Sequence, residues 1–146
     1  MVEALLGILI LLSIAILAVH LRSQNASDPI DTKFQASLDE KVKLASSRSH
    51  PSSKMEKFLL QFKKYELCPM GSSYKICLVS DGSVDLYPRL GPTMEWDTAA
   101  SHAIIKGAGG ELLQVNNKLP LIYNKSELVN PDFIAGSIEA IQGLKL

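Results

Sequence analysis

The chain has 146 residues, of which 47% are hydrophobic, and both values are typical of one folded domain rather than of a disordered polymer. Its 15 basic and 15 acidic residues give a formal net charge of zero, which disfavours nonspecific binding of nucleic acid through released counterions. The two cysteines, Cys68 and Cys77, form neither a Cys-x-x-Cys pair nor a cluster with histidine. A zinc site therefore has no framework, and buried reduced thiols are expected.

Residues 1–22 are predicted to form an N-terminal hydrophobic helix that acts as a transmembrane or signal-anchor segment. Residues 4–19 are uncharged and would span about 24 Å as a helix, slightly short of a bilayer core. Positive charges such as Arg22, Lys33 and Lys41 follow this run, so the positive-inside rule favours a single-pass protein of the inner membrane with its globular part in the cytoplasm. The alternatives are a buried hairpin helix or an artefact of the gene start.

Residues 23–42 are polar and read as a linker or a short amphipathic helix, with Phe34, Leu38 and Val42 at helical spacing. From residue 43 to residue 146, helical and strand-like patterns alternate between Gly, Pro and Ser residues, which predicts an α/β domain. Strands are predicted at 43–46, 65–70, 84–87, 112–115 and 121–123, helices at 52–63, 72–79 and 96–106, and a closing segment at 131–141.

Several side-chain positions follow from these predicted elements. The helix at 96–106 is expected to pack its small apolar residues inward, and these are Ala99, Ala100, Ala103 and Ile104. Pro88 and Pro92 are expected to bracket a loop, and an Asn116-Asn117 turn to join two strands. Tyr87 and Trp96 are expected to lie in the core rather than to stack on a base.

Four segments in chain order carry a resemblance to a known family: 47–50 (Ser-Arg-Ser-His), 71–75 (Gly-Ser-Ser-Tyr-Lys), 85–89 (Asp-Leu-Tyr-Pro-Arg) and 91–100 (Gly-Pro-Thr-Met-Glu-Trp-Asp-Thr-Ala-Ala). Together they resemble the CysQ-type 3'(2'),5'-bisphosphate nucleotidases of the inositol monophosphatase superfamily. The resemblance implies that residues 43–146 are the carboxy-terminal, sugar-phosphatase-type subdomain, a mixed sheet flanked by helices. It also implies that the chain is truncated and that its first segment is unrelated to the family.

By this resemblance Asp97, in the Trp-Asp-x-Ala-Ala motif, is a magnesium ligand. The chemistry suits that role, because the first turn of a helix stabilises an anion and Mg²⁺ prefers hard oxygen ligands. Two bridging metals would then polarise the phosphate and activate a water molecule. The alternative is that Asp97 only caps its helix.

The resemblance also implies a binding site for the nucleotide substrate, adenosine 3',5'-bisphosphate. It places Ser49 and His50 along the adenosine-phosphate site, brings Ser72 and Lys75 close to the ligand, and gives Arg89 the task of holding a phosphate. A guanidinium fork suits two phosphate oxygens and an ammonium supplies a point charge.

The family builds most of its metal site from segments that have no clear counterpart here. No Glu-Glu segment matches, and the string from Asp28 to Asp31 resembles the family's Asp-Pro-x-Asp-Gly-Thr loop without its glycine. Because a single aspartate cannot hold two Mg²⁺ ions, little phosphatase activity is expected unless a complementing amino-terminal-half polypeptide or a homodimer supplies the rest.

The expected function is therefore that of a Mg²⁺-dependent nucleotidase that converts adenosine 3',5'-bisphosphate to AMP and phosphate but is incomplete in this chain. Two alternatives stay open. One is a noncatalytic, membrane-tethered nucleotide-binding domain that keeps the pocket without the metals. The other is a gene-fusion remnant, whose uncovered sheet would expose apolar surface.

Overall fold

The structure, a computed structural model, describes residues 41–47 and 53–145. Within these ranges the strands are β1 (Val42–Ser46), β2 (Tyr65–Pro69), β3 (Tyr87–Arg89), β4 (Thr93–Met94), β5 (Glu111–Gln114), β6 (Val129–Asn130) and β7 (Phe133–Gly136). The helices are α1 (Ser53–Leu59), α2 (Tyr74–Ser80), α3 (Glu95–Gly107) and α4 (Ile138–Gly143).

Five of the strands lie in two small sheets, a parallel pair β1-β2 and an antiparallel sheet in the order β3-β7-β5, and a parallel bridge between Leu44 and Leu86 joins them into one mixed arrangement. Strand β1 pairs in parallel with β2, and β7 pairs antiparallel with both β3 and β5. The two parts of the sheet join where Ala45 N donates to Leu86 O at 2.8 Å and Asp85 N donates to Lys43 O at 2.9 Å. The expected mixed sheet flanked by helices is thus confirmed.

Helices cover both faces of this sheet, and side chains alternate between the two faces along each central strand. On β7, Ile134 packs with the helices α1 and α4, whereas Phe133 and Ala135 pack on the side of α2 and α3. Met55, Phe58 and Leu59 of α1 and Ala140 and Ile141 of α4 complete the first core. Ile76 and Val79 of α2 and Ile105 of α3 belong to the second.

Most predicted elements are present, with shifted ends. The first helix ends at Leu59 rather than at residue 63, although Phe62 remains buried. The predicted strand at 84–87 runs instead from Tyr87 to Arg89, so Pro88 lies inside a strand and not in a loop. Proline is tolerated at position 88 because β1 pairs with this stretch only at Leu86 and not at Pro88. The N–H that proline lacks therefore leaves no hydrogen bond between β1 and β3 unmade.

Two predictions about the stretch from residue 96 to residue 123 are wrong. Residues 121–123 do not form a strand, because Leu121 N makes one bond to Leu112 O and no ladder follows. Helix α3 does not bury its alanines: Ala99, Ala100 and Ala103 are exposed, and Ile104 is half-buried. The buried face of α3 carries Glu95, Thr98, Ser101, His102 and Ile105.

Other core predictions have mixed outcomes. Tyr87 is buried and makes an edge contact with Phe133, as expected of a core residue. Trp96, by contrast, is 65% exposed, so its assignment to the core is wrong. Cys77 is buried and Cys68 is half-buried, and both are free thiols.

The predicted hydrophobic helix at 1–22 and the linker at 23–42 lie outside the described residues, except for the last two linker positions. Among the residues that the structure describes, no helix is long and apolar enough to cross a membrane.

Candidate functional site

A pocket of about 310 Å³ opens where the ends of β1 and β3 meet the first turns of α2 and α3. Four of the predicted site residues line it together, namely Ser72, Lys75, Arg89 and Asp97. Its other lining residues are Ser47, Gly71, Ser73, Ile76, Tyr87, Thr93, Thr98 and Phe133. Residues that are far apart in the chain therefore supply two cations, one carboxylate and several hydroxyl groups to one cavity.

Arg89 presents an unused donor in this pocket. Its Nη2 donates to Pro92 O at 2.9 Å, which fixes the guanidinium at the end of β3. Its Nε is buried and has no hydrogen-bond partner among the described residues. A buried donor without an acceptor costs free energy, and an oxygen of a bound anion would satisfy it.

Lys75 lies in the wall of the same pocket and is 4% exposed. Its Nζ donates to Met70 O at 3.1 Å and to Ser72 O at 2.8 Å, and lies 5.1 Å from the centre of the Tyr87 ring. Burial lowers the pKa of Lys75, and the charge of Arg89 lowers it further. The negative charge of an anion bound beside the two cations would offset both effects, because it favours the charged form of Lys75.

The loop before α2 owes its shape to Lys75. Ser72 adopts φ of 61°, in the left-handed region that costs a residue other than glycine about 1 kcal/mol. Its carbonyl is held by the Lys75 ammonium, which compensates for that conformation. Lys75 therefore both shapes the loop and supplies positive charge, a combination that the sequence pattern did not predict.

Asp97 is exposed at the first turn of α3, and one of its two oxygens is already engaged. Oδ2 accepts a hydrogen bond from Met94 N at 3.0 Å, so Asp97 does cap its helix. Among the described residues, none donates a hydrogen bond to the other oxygen, Oδ1. The capping and metal-binding interpretations of Asp97 are thus compatible, because each uses a different oxygen.

The described residues do not fit a complete magnesium site. They contain no group of three or more His, Cys, Asp or Glu side chains that could hold a metal ion. Among the described residues that line the pocket, Asp97 is the one carboxylate, whereas two bridging Mg²⁺ ions need several oxygen ligands. Further ligands would have to come from outside the described residues.

A buried polar network fixes the first turn of α3, which carries Asp97. Asn130 Nδ2 lies 3.0 Å from Met94 O, 3.0 Å from Thr98 Oγ1 and 3.2 Å from Thr93 Oγ1. The Glu95 carboxylate accepts from Asn124 N at 2.7 Å and pairs with the Lys125 ammonium. These contacts tie the loop at 124–130 to the start of the helix.

Glu95 remains charged in this network. Its hydrogen bond with Lys125 is the largest cause that lowers the pKa of Glu95, and the backbone N–H groups of Asn124 and Lys125 add to it, while burial acts in the opposite direction. These donors favour the charged form of the carboxylate, so the pKa of Glu95 lies below its usual value.

The middle of α3 is anchored by a second set of contacts. His102 Nε2 pairs with Glu111 on β5, and His102 Nδ1 lies 2.8 Å from Tyr123 Oη. Tyr123 Oη in turn donates to Thr98 Oγ1 at 3.3 Å. The sequence does not indicate a role for His102, because His102 and Glu111 are 9 positions apart and meet only after the chain turns at 107–110.

Some predicted site residues are not placed. Ser49 and His50 lie outside the described residues, as do Asp28 and Asp31 of the loop-like string. Ser47, Ser73, Thr93 and Thr98 line the pocket but were not predicted. The signal was available, because Ser47, Ser73, Thr93 and Thr98 all fall within the segments that carry the family resemblance.

Comparisons with known proteins agree with this arrangement. The inositol monophosphatase family matches residues 16–143, a range that begins well before residue 43. The chain is 43% identical over 88 residues to the 3'(2'),5'-bisphosphate nucleotidase CysQ of Escherichia coli K12, covering 60% of this chain and 35% of that protein. A CysQ from Aggregatibacter actinomycetemcomitans is 41% identical over 100 residues, or 67% of this chain and 37% of that protein.

Solved structures give the same result. The crystal structure of CysQ from Bacteroides thetaiotaomicron superposes with a TM-score of 0.64 and 45% identity, covering 68% of this chain and 38% of that chain. A Staphylococcal IMPase-II structure, at 12% identity and a TM-score of 0.53, shares the fold. The chain therefore spans little more than a third of the length of these relatives. The expected resemblance to a CysQ-type fragment is confirmed, and the chain belongs to the inositol monophosphatase family.

Proposed function

We propose that this chain forms the carboxy-terminal part of a Mg²⁺-dependent 3'(2'),5'-bisphosphate nucleotidase that converts adenosine 3',5'-bisphosphate to AMP and phosphate. The observation that carries the proposal is the meeting of Arg89, Lys75 and Asp97 in one pocket. Relatives of this chain are named 3'(2'),5'-bisphosphate nucleotidase CysQ, and the residues brought together lie in the four segments that carry the family resemblance.

In this proposal the pocket holds a phosphate group of the substrate. The free Nε of Arg89 donates to one phosphate oxygen, and Lys75 adds positive charge from the pocket wall. A volume of about 310 Å³ lies at the lower end of the range for small-molecule sites, so it holds part of a nucleotide rather than all of it. Ser49 and His50 are proposed to contact the adenosine side.

We propose that Asp97 is the metal ligand contributed by the described residues and that turnover requires further carboxylates from outside them. A complementing polypeptide that carries the amino-terminal half of the domain would supply these ligands, and a homodimer is the second possibility. Without such a supplement the chain binds the substrate but does not hydrolyse it.

The test compares binding with turnover on the full chain. Isothermal titration with adenosine 3',5'-bisphosphate at low salt should show binding that Arg89→Met weakens by about tenfold or more, since an ionic hydrogen bond to phosphate is lost. Phosphate release with Mg²⁺ should be absent from the chain alone. It should appear on adding the part of E. coli CysQ that this chain does not match, and Asp97→Asn should abolish it.

Two results would contradict the proposal. If the wild type and Arg89→Met bind the substrate with equal affinity, the phosphate does not lie in this pocket. Binding with no turnover under any complementation, unaffected by Asp97→Asn and by Mg²⁺, would instead support the noncatalytic nucleotide-binding domain. That alternative uses the same Arg89 and Lys75 and leaves Asp97 with its capping bond alone.

We also propose that residues 1–22 anchor the protein in the inner membrane in a single pass, with the pocket on the cytoplasmic side. The support is the uncharged run at 4–19 followed by positive residues. Membrane fractionation with alkaline extraction should leave the full chain in the pellet, whereas a chain that begins at residue 22 should be released. Release of the full chain would exclude the anchor.

A further inference from the structure

We infer that Lys75 is a site of covalent acylation, and that small acyl phosphates such as acetyl phosphate are the reagents that modify it. The pocket binds the phosphate part of the reagent at Arg89, and the amine of Lys75 takes the acyl group. The inference rests on the proposed function for one statement alone, that this pocket binds a phosphate group. It adds a reaction that the hydrolysis of a nucleotide does not use.

The first argument is that the pocket places a phosphate donor and an amine in one small cavity. Arg89 and Lys75 both line it, and the charge of Arg89 lowers the pKa of Lys75, so the two groups interact. Nε of Arg89 is buried without a hydrogen-bond partner among the described residues. The described lining residues carry two positive charges against the one carboxylate of Asp97, so the pocket attracts an anion.

The second argument is that Lys75 can act as a nucleophile where it lies. The nucleophilic form of a lysine is the neutral amine, and burial, followed by the charge of Arg89, favours that form by lowering the pKa of Lys75. A neutral amine keeps two hydrogens, which suffice for the bonds to Met70 O at 3.1 Å and Ser72 O at 2.8 Å. Its lone pair is then free to attack.

A bound phosphate has two opposite effects on this amine. Its negative charge partly restores the charged form of Lys75. It also holds the acyl carbon close to the amine, and well-oriented reactions of this kind reach effective molarities of about 10⁵–10⁸ M. One pKa unit changes the neutral fraction only about tenfold, so the gain from positioning is the larger effect.

The third argument is a contrast with other lysines of the described chain. Lys75 is 4% exposed, so a reagent reaches its amine through the pocket rather than from the open surface. Lys54 is exposed and its ammonium lies 2.6 Å from the carboxylate of Asp132. Lys106 is exposed as well, and its ammonium lies 3.7 Å from the carboxylate of Glu111. A neighbouring carboxylate repels a phosphate, so Lys54 and Lys106 have no comparable means of collecting the reagent.

The step is an acyl transfer in which atoms and electrons balance. The lone pair of the Lys75 amine attacks the acyl carbon, and a C–N bond forms. The bond between that carbon and the bridging oxygen of the phosphate breaks, and its electron pair leaves with the phosphate. One proton of the attacking nitrogen passes to the departing phosphate, which is released as inorganic phosphate. The products are an amide on Lys75 and hydrogen phosphate, with no change in oxidation state.

Acylation would change both tasks of Lys75. The amide is neutral and has one N–H, so it cannot donate to Met70 O and Ser72 O together as the amine does. Ser72 then loses support for its φ of 61°, and the pocket loses a positive charge. We therefore expect acylated chains to bind phosphate-bearing ligands at least about tenfold more weakly. The level of acyl phosphates would in this way control occupancy of the pocket.

The experiment compares two reagents that deliver the same acetyl group. The full chain is treated with acetyl phosphate or with acetic anhydride, which has no phosphate, and mass spectrometry of peptides gives the initial rates at Lys75 and Lys54. We expect the ratio of the Lys75 rate to the Lys54 rate to be at least about tenfold higher with acetyl phosphate. Added inorganic phosphate should slow this reaction at Lys75 and leave Lys54 unaffected, because it competes for Arg89.

Matched variants test the role of the guanidinium. Arg89→Met removes the phosphate donor and should slow the acetylation of Lys75 by acetyl phosphate about tenfold or more, with a smaller change for acetic anhydride. Lys54→Met removes a cation from the exposed side of α1 and should leave the rate at Lys75 unchanged. Far-UV circular dichroism checks that each variant is folded, and the competition by inorganic phosphate tests the same contact in the wild type.

Three results would overturn the inference. The first is a Lys75 that stays unmodified by acetyl phosphate while Lys54 reacts. The second is the same ratio of the two rates with both reagents, and the third is a reaction at Lys75 that neither inorganic phosphate nor Arg89→Met slows. Phosphate-guided acetylation without binding of adenosine 3',5'-bisphosphate would contradict the proposed function and leave this inference intact. Binding of that nucleotide without acetylation of Lys75 would do the reverse.

Discussion

Replacing His102 with leucine should be among the most damaging single changes in this domain. His102 and Glu111 are each 6% exposed, and their side chains pair across α3 and β5. In His102→Leu, the Glu111 carboxylate keeps only Leu112 N at 3.0 Å and Lys106 Nζ at 3.7 Å. Removing one member of a buried pair costs about 3–5 kcal/mol, which is a large share of the roughly 5–15 kcal/mol that a domain has.

A double-mutant cycle separates the pair from the loss of packing. Glu111→Gln keeps the shape and a polar group, so it should cost about 1–2 kcal/mol. Combining it with His102→Leu should cost at least about 1 kcal/mol less than the sum, because the unpaired buried charge is then absent. Urea unfolding followed by far-UV circular dichroism gives each free energy of unfolding.

The control for this cycle is Ala103→Ser, one position along α3 but exposed, which should change stability by less than about 0.5 kcal/mol. The reasoning would be refuted if His102→Leu cost less than about 1 kcal/mol, or if the two changes were additive. Either result would mean that Glu111 is solvated or is satisfied by Lys106 alone.

Three further changes test other parts of the fold. Gly110→Ala should lower the stability of the domain in thermal unfolding by about 1–3 kcal/mol, because the new Cβ would lie 2.8 Å from Cγ1 of Ile105 and 2.9 Å from the carbonyl oxygen of Gly136. Its control is Gly107→Ala, whose Cβ meets nothing within 4 Å and which should leave stability unchanged or raise it. Because the pKa of Glu95 is lowered from 4.5, its carboxylate contributes stability that is present above pH 4.5 and is lost as pH falls further, so Glu95→Gln should flatten the acid side of a stability profile. Lys118→Met removes the ammonium that donates at 2.9 and 3.0 Å to carbonyls at the end of α4, and should cost about 0.5–1.5 kcal/mol and speed amide exchange there; no effect on exchange would exclude that capping role.

Sequence patterns predicted the elements whose burial follows simple periodicity. Strand β5 and helix α3 appear within one or two residues of the predicted ends, and the turn at 115–117 follows the Asn116-Asn117 signal. The pattern failed at residues 121–123, whose apolar Leu-Ile-Tyr run is typical of a strand but makes only one backbone hydrogen bond across the sheet. Strand pairing depends on a neighbour, and the local sequence contains no information about that neighbour.

The orientation of α3 could not be predicted for a related reason. A helix is normally expected to bury its apolar side, and here Thr98, Ser101 and His102 are buried instead. Each of these polar groups has a partner: Thr98 bonds to Asn130, Ser101 to a backbone carbonyl, and His102 to Glu111. Satisfied hydrogen bonds remove the cost of burying polar groups. The partners of Thr98 and His102 come from other segments, so the sequence of the helix itself does not show them.

The sequence predicted which described residues share the pocket better than it predicted the contacts that they make there. Ser72, Lys75, Arg89 and Asp97 do meet in one pocket, as the ordered segments suggested. What the segments could not show is that the ammonium of Lys75 is bound to two loop carbonyls and that one oxygen of Asp97 caps α3. Both depend on backbone conformations, such as φ of 61° at Ser72, that residue types alone do not determine.

The order of strands in the sheet has a consequence for biosynthesis. Strand β7 is the last strand in the chain, yet it lies in the interior of the sheet between β3 and β5. While the ribosome is still making residues 1–130, β5 has no partner that could join it to β3, and the apolar faces of both remain open. The sheet therefore closes only after residue 136 has emerged, in a step that depends on contacts distant in sequence. A premature stop before Phe133 would remove the strand that unites the domain, rather than trim its edge.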